Sequence, residues 1–582
     1  MQQTLSQKHN QSHSWLFGLI LSTVMMICVF LFFGLRYDTI DDTVILRQMM
    51  GFGVTEIPDF NLYVNGILFF FLRWLSILFP GLPWFSYLQL FLLWLSTAVI
   101  TKSIIQCFEN EQHPVWHGII LAVLFQIVFL LRYETRITYT VTAAMVGAAA
   151  VAQLLSIDAK NASEAQWYRA CLLSLALILF SYNLRPQSVL PALAFCFCAF
   201  IIQGVRRYQA ARNWLRPLAV TFVVVVVVLG AAVGFRAWET NARPDVREYV
   251  DWQNARIRIW DYLGVGNTPK ETLEELGITE AHKELLQDWY QMDGSLDTQA
   301  LTTMADAIEA TRDNRFSTNI ASMSTVIKQL FQEEPLVLRS LWVLGSMLLL
   351  CLLLWGMGGK RSNSTPVWGS LVGLFFSVAM VLYLAYQGRL NLRGFLTVML
   401  PFAALVACLL PQSRTHTVRV AGKAIGAVAC AVLLFASTLY CIPFLQTHLR
   451  KPPTEKELAT EAVLAAIDDY ATANEDYLLI YDGSLAIDTR MFPTTENGIS
   501  KNVHLWGGWN LHSPSYNAML EAYGFDPDQW SLEDFLSYDV RLLRRNAAMP
   551  TALLNALNEL GDVECCLDTE WDELYVMSFE EW

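Results

Sequence analysis

Between Trp15 and Tyr440, long apolar runs alternate with short polar breaks. The first covers residues 15–35. The others fall near 84–105, 115–131, 139–157, 168–182, 188–204, 217–235, 336–356, 367–386, 395–410 and 420–440. Each approaches the roughly 20 residues that a helix needs to cross a hydrocarbon layer. The pattern predicts an α-helical polytopic membrane protein of about 11 transmembrane helices. The segment 62–79 differs. It is apolar but interrupted by Asn65 and Arg73, and Pro80 and Pro83 break the chain behind it. An interfacial helix fits it better than a crossing one. Residues 236–335 and 443–582 are polar, which divides the chain into a membrane domain at 1–442 and a small carboxyl-terminal α/β domain at 443–582. In the latter, Tyr477–Tyr481 before Asp482-Gly483 reads as a strand, and 573–578 as another.

Arginine and lysine in short loops set the expected orientation. Arg206, Arg207, Arg212 and Arg216 crowd one loop, Lys360 and Arg361 a second, and Arg414, Arg419 and Lys423 a third. With all three cytoplasmic, 236–335 and the carboxyl terminus are extracytoplasmic. If 62–79 lies along the interface, the amino terminus with Lys8 is cytoplasmic and residues 36–83 form one outer loop. The run at 15–35 lacks an A-x-A-like cleavage site and reads as an uncleaved signal anchor in the cell membrane.

Composition narrows the function classes. The chain is 54% hydrophobic and 16% charged, with a mean hydropathy of +0.36. Its net charge of −13 and the lack of a basic stripe interleaved with aromatics give no nucleic-acid partner. Most of the 11 cysteines lie in apolar runs and read as packing residues, and no Cys/His spacing suggests zinc. The sequons at Asn161 and Asn363 fall on the expected cytoplasmic side. No G-x-S-x-G elbow, Walker loop or dinucleotide fingerprint is present.

Candidate chemistry gathers on the expected outer face. Asp38, Asp41 and Asp42 follow the first span, where carboxylates are costly unless solvated, paired or used. The plainer alternative is that Asp41 or Asp42 caps the helix beginning near Thr43. Arg132, Glu134 and Arg136 flank Tyr133, either as an interfacial anchor or beside the same pocket. Arg185 lies between spans, and Arg389 and Arg393 share a very short outer connection. In the long loop, Arg256, Arg258 and Trp260 suit sugar stacking, or the ordinary packing of an amphipathic helix.

A first outer loop with an acidic pair, interfacial helices behind it, and a long outer loop after the seventh span resembles the GT-C fold of membrane glycosyltransferases. The stretches Tyr37-Asp38-Thr39-Ile40-Asp41-Asp42-Thr43, Leu62-Tyr63-Val64-Asn65, Leu78-Phe79-Pro80-Gly81-Leu82-Pro83-Trp84 and Ala255-Arg256-Ile257-Arg258-Ile259-Trp260-Asp261-Tyr262 look like a group of uncharacterised bacterial GT-C-like proteins. The resemblance implies transfer of a sugar from a polyprenyl-phosphate-linked donor to a glycan, lipid or protein acceptor at the outer surface. A carboxylate would act as general base, which gives Asp41, Asp42 and Asp38 as catalytic candidates. Arginines would bind the departing phosphate, so Arg389, Arg393, Arg185, Arg132, Arg136, Arg256 and Arg258, with Glu134 and Trp260, are substrate-binding candidates. A second carboxylate would be able to hold a divalent cation such as Mg²⁺ or Mn²⁺. An envelope-lipid flippase and a glycan polymerase are the competing readings. A flippase would be expected to show repeats and polar residues at mid-membrane, which the mostly clean spans lack.

Overall fold

In the computed structural model, the described residues are 2–209, 215–311, 316–357, 364–413, 420–450, 455–481, 489–493, 498–537, 539–545, 551–571 and 574–581. Arg212, Lys360, Arg361, Asn363, Arg414, Arg419, Asp482, Gly483 and Glu573 lie outside them.

Helix α1 (Gln2–Cys28) leads through a π-helical turn to Gly34, whose φ of +78° lets the chain reverse into β1 (Arg36–Tyr37). The short helix α2 (Ile40–Met50) starts after Thr39, not at either aspartate, and ends at Gly51 in the left-handed conformation. Then α3 (Gly66–Leu78) exposes Ile67, Phe70, Phe71, Trp74 and Ile77 along one side, while Arg73 donates to the Ile57 carbonyl at 3.1 Å. Its 13 residues are too short to cross a membrane, as the interfacial reading expects.

The bundle continues with α4 (Trp84–Asn110), α5 (Val115–Phe125), α6 (Leu131–Thr135), β2 (Arg136–Ile137) and α7 (Tyr139–Leu155). After these come α8 (Glu164–Leu184), α9 (Pro186–Tyr208) and α10 (Leu215–Asn241). Local signals set several starts: Ser163 and Gln166 form a capping box on α8, and Thr138 accepts from Val141 N on α7. Among the described residues, 10 helices are long and apolar enough to cross a membrane. The 17-residue α7 is shorter but almost wholly buried at the centre, so it accounts for the eleventh expected span. It packs closely because its residues are small: a Cβ on Gly147 would lie 2.6 Å from that of Ala192.

Beyond the seventh of these helices, the long polar segment folds as α11 (Pro244–Ile257), α12 (Lys270–Glu275), α13 (Glu280–Gln287), α14 (Thr298–Thr311) and α15 (Phe316–Glu333). Helices α16 (Pro335–Met357), α17 (Thr365–Tyr386), α18 (Leu392–Leu409) and α19 (Val420–His448) complete the bundle. Asn391 caps α18 by accepting from Gly394 N at 2.8 Å.

The carboxyl-terminal part holds α20 (Glu455–Ala473), β3 (Leu478–Tyr481), β4 (Val503–Leu505), α21 (Pro514–Ala522), β5 (Val540–Arg544), α22 (Thr551–Asn558), β6 (Val563–Trp571) and β7 (Leu574–Glu581). The sheet order is β4-β3-β5-β7-β6; β4, β3 and β5 run parallel, and β7 is antiparallel to both its neighbours. Its core is shared with the long loop: Trp252, Tyr290 and Leu301 pack with Trp506, Trp530 and Phe579. This head sits on the first loop largely through backbone carbonyls. Tyr37 N donates to Thr489 O at 2.9 Å, Ser86 Oγ to Met491 O at 2.7 Å and Gly53 N to Ser500 O at 2.9 Å. Arg47 and Asp468 add an ion pair at 2.7 Å.

Candidate functional site

The site forms where the start of α2 meets α7, α18 and the long loop. In a helix, consecutive residues point about 100° apart, and here that separates the two aspartates completely. Asp42 turns inward and is fully buried. Its Oδ1 accepts from Gln89 Nε2 at 2.9 Å and from Tyr139 N at 2.8 Å, and its Oδ2 from Thr39 Oγ1 at 2.9 Å. Thr142 in turn donates to Gln89 Oε1 at 3.1 Å. Asp42 therefore satisfies the first N–H of α7, a cap across elements instead of on its own helix. Burial pushes its pKa up to about 7, against those three hydrogen bonds and with Asp41 adding to the rise.

Asp41 faces the other way. It remains 27% exposed, and its Oδ2 meets Arg393 Nη1 at 3.3 Å. A second pair, Asp261 Oδ2 with Arg389 Nη2 at 2.8 Å, lies nearby, and Arg389 also covers the Tyr262 ring at 4.0 Å. Tyr63 links the two pairs, being within electrostatic reach of Asp41, Arg185, Arg256 and Asp261. Burial first, then Asp41, raises its phenol above the usual value. Its ring lies 5.9 Å from that of Tyr139 and 5.3 Å from that of Trp509.

Arg185 completes the group. Its guanidinium lies over Tyr63 at 4.2 Å and Tyr139 at 5.2 Å, and its buried Nη1 makes no hydrogen bond among the described residues. The arrangement therefore presents two carboxylates of similar exposure, Asp41 at 27% and Asp261 at 26%, each paired with an arginine, and a third arginine lying against aromatic faces.

The structure does not bring every candidate here. Arg256 is 3% exposed and donates to Gln253 Oε1 at 2.8 Å, so it supports the wall below Tyr63. Arg258 pairs instead with Asp306 and Glu309 on an exposed face, and Trp260 donates to the Leu286 carbonyl at 3.1 Å within the head. Sugar stacking at Arg258 and Trp260 gives way to surface pairing and packing, because both point to α14 and α13 and away from α2.

Glu134 is fully buried against α4, where it accepts from Thr97 Oγ1 at 2.6 Å. Arg132 pairs with Glu334, and Arg136 lies 3.8 Å from Asp38. These residues form a separate group beside Asp38. Two contributors, Tyr63 and Tyr139, were missed in the sequence; Trp509 belongs to the Trp-rich stretch 504–510, which reads either as a sugar-stacking surface or as packing. The only signal for the two was the position of Tyr63 in the stretch 62–65; Tyr139 looks like an ordinary helix start.

A divalent cation does not fit the acidic pair. Both Asp42 oxygens are occupied by protein donors, and Asp41 faces a guanidinium. Among the described residues, no group of three or more His, Cys, Asp or Glu is arranged to hold a metal ion.

No protein-family model matches the chain, and no curated protein matches its sequence. Solved structures give distant likenesses. ArnT from Cupriavidus metallidurans in the apo state aligns at 11% identity and a TM-score of 0.39 over 97% of each chain. The same protein bound to undecaprenyl phosphate aligns at 12% identity and 0.40, again over 97% of each. The archaeal oligosaccharyltransferase AglB from Archaeoglobus fulgidus, in complex with an inhibitory peptide and a dolichol-phosphate, aligns at 10% identity and 0.40, covering 91% of this chain and 69% of that one.

Proposed function

We propose that this protein is a cell-envelope glycosyltransferase that moves a sugar from a polyprenyl-phosphate-linked donor to a hydroxyl of a glycan, lipid or protein acceptor at the outer membrane face. The observation that carries the reading is the juxtaposition of half-exposed Asp41 with Arg393, Arg389 and Arg185, where the membrane bundle meets the head. Transfer needs a base for the acceptor proton and cations for the departing phosphate, both at the membrane surface where a lipid tail stays anchored.

In this reading the acceptor oxygen attacks the anomeric carbon, and the bond from that carbon to the phosphate oxygen breaks. The bonding pair leaves with the phosphate, which Arg393, Arg389 and Arg185 neutralise. The acceptor proton passes to Asp41. Without donor, Asp41 is held by Arg393; a phosphate offers Arg393 a better bidentate partner and so frees the carboxylate to act as base. Asp42 touches no reacting atom and positions Asp41 by tying α2 to α7. Tyr63 and Tyr139 offer aromatic surface beside the sugar.

The experiment is donor-concentration dependence of transfer with a short-chain polyprenyl-phosphate sugar and purified Arg389→Lys and Arg393→Lys proteins. A single bidentate phosphate contact contributes about 1.5–3 kcal/mol, so apparent donor affinity should fall about tenfold or more. Unchanged donor dependence in both variants, with normal folding, would reduce these arginines to structural ion pairs.

A further inference from the structure

The parallel pairing of β1 with β2 sets Arg36 directly beside Arg136. Like charges at adjacent positions of neighbouring strands destabilise the pair. Arg132, one turn before β2, adds a third guanidinium: Arg136 is within electrostatic reach of both Arg36 and Arg132, and so is His448 at the end of α19. The carboxylates that face this group are Asp38, 3.8 Å from Arg136, and Glu334, paired with Arg132. Tyr133, beneath Arg132 at 5.8 Å, brings no negative charge at neutral pH.

Three guanidiniums thus meet two carboxylates, and the pairing is incomplete. Arg36 is exposed and has no ion-pair partner among the described residues. Arg132 is 8% exposed, yet among the described residues its Nη1 makes no hydrogen bond, and neither does the buried Nε of Arg136. Buried guanidinium donors left unpaired are costly, and a chain normally satisfies them. Burial, then the charge of Arg36, depresses the Arg136 pKa.

The cluster lies beside the π-helical end of α1, where Arg450 N donates to the Phe32 carbonyl at 2.7 Å. The apolar residues Phe30, Leu31 and Phe32 are exposed just below it. From the excess charge, the unpaired donors and the apolar rim, we infer that Arg36, Arg136 and Arg132 form a second phosphate-binding site, distinct from the cleft of Arg389 and Arg393. Its ligand is a phosphate monoester, carried by a lipid headgroup or free in solution. The inference goes beyond the transfer reaction and does not depend on it.

The test measures binding of dioctanoyl phosphatidic acid and of inorganic phosphate to the full chain in phosphatidylcholine nanodiscs. Arg36→Gln and Arg136→Gln should each weaken binding about tenfold, the scale of one lost charge-assisted contact. Because the cleft of Arg389 and Arg393 is also expected to take a phosphate, all proteins carry Arg389→Lys as a common background. Phosphatidic acid binding without phosphate binding assigns the site to a lipid headgroup, and comparable phosphate binding assigns it to a free anion. Should Arg136→Gln not fold, the exposed Arg36→Gln carries the test. The inference is overturned if neither probe binds, or if Arg36→Gln binds as tightly as the Arg389→Lys background alone. It is equally overturned if adding Arg393→Lys to that background weakens binding as much, since the anion then sits in the other cleft.

Discussion

Replacing each aspartate of the pair by asparagine should produce opposite phenotypes, because Asp42 is buried among hydrogen-bond donors while Asp41 is partly exposed against Arg393. Asp41→Asn removes the proposed base and one partner of a pair whose side chains are 27% and 34% exposed. Such a pair contributes at most about 1 kcal/mol to stability. Loss of general-base action costs about 10²-fold or more in rate, equivalent to roughly 2.7 kcal/mol of barrier. The expected Asp41→Asn protein is therefore folded and nearly inactive.

Asp42→Asn keeps an oxygen where Gln89 and the Tyr139 N–H donate, so transfer should fall only several-fold. Asp42→Ala leaves those donors unsatisfied in a dry site, at about 1–3 kcal/mol for each, and should lower the unfolding temperature strongly. The assay pairs single-turnover transfer from a short-chain polyprenyl-phosphate sugar with thermal unfolding in nanodiscs. The assignment is refuted if Asp41→Asn retains near-normal transfer, or if well-folded Asp42→Asn loses transfer by the larger factor.

Other expectations follow from the same geometry. Asp42 has its pKa raised from 3.8 to about 7, so the folded chain takes up a proton in that interval and stability should decline as pH rises from about 4 to 7, then level off; the unfolding midpoint of Asp42→Asn should lack this component. Arg185→Lys should raise the donor concentration needed for half-maximal rate about tenfold, as an ammonium cannot lie flat on Tyr63 and bind phosphate with two N–H groups together. Arg47→Met should loosen the head, since Asp468 is left 13% exposed without its closest cation, and limited proteolysis should cut 455–545 faster. Cysteines introduced at positions 59 and 81 should be labelled from the same side, and opposite labelling would make α3 a crossing helix.

Much of the fold was legible because membrane spans announce themselves by length and apolarity. The shortness of α3 was equally readable from Arg73 and the prolines behind it. The strands β3 and β7 followed from short apolar runs beside turn residues. The sharing of one core between the long loop and the carboxyl-terminal sheet was not legible, since nothing local in Trp252 or Tyr290 names a partner more than 200 positions away. At the site, the acidic pair and the arginines of the short connection stood out as charges in unexpected places. Their division of labour did not, because spacing says that Asp41 and Asp42 diverge but not which one turns inward. Arg258 and Trp260 misled for a related reason: their acceptors, Asp306, Glu309 and the Leu286 carbonyl, come from other helices. Tyr63 and Tyr139 passed unnoticed since an aromatic residue beside a membrane is ordinary.

The seating of the head on the first loop has a consequence for how the chain tolerates change. At positions 489, 491, 500 and 509 the bonds are accepted by main-chain carbonyls, the last receiving both Tyr249 Oη and Gln253 Nε2. A carbonyl is present whatever the side chain, so these hydrogen bonds survive substitution at 489, 491 and 500, whereas the buried Met491 and Ser500 side chains are constrained by packing. On the opposite side, Ser86, Tyr249 and Gln253 donate through their side chains and have no such freedom. These hydrogen bonds should therefore tolerate change at the carbonyl positions and resist it at Ser86, Tyr249 and Gln253, while a transplanted head would also have to keep Asp468 for Arg47.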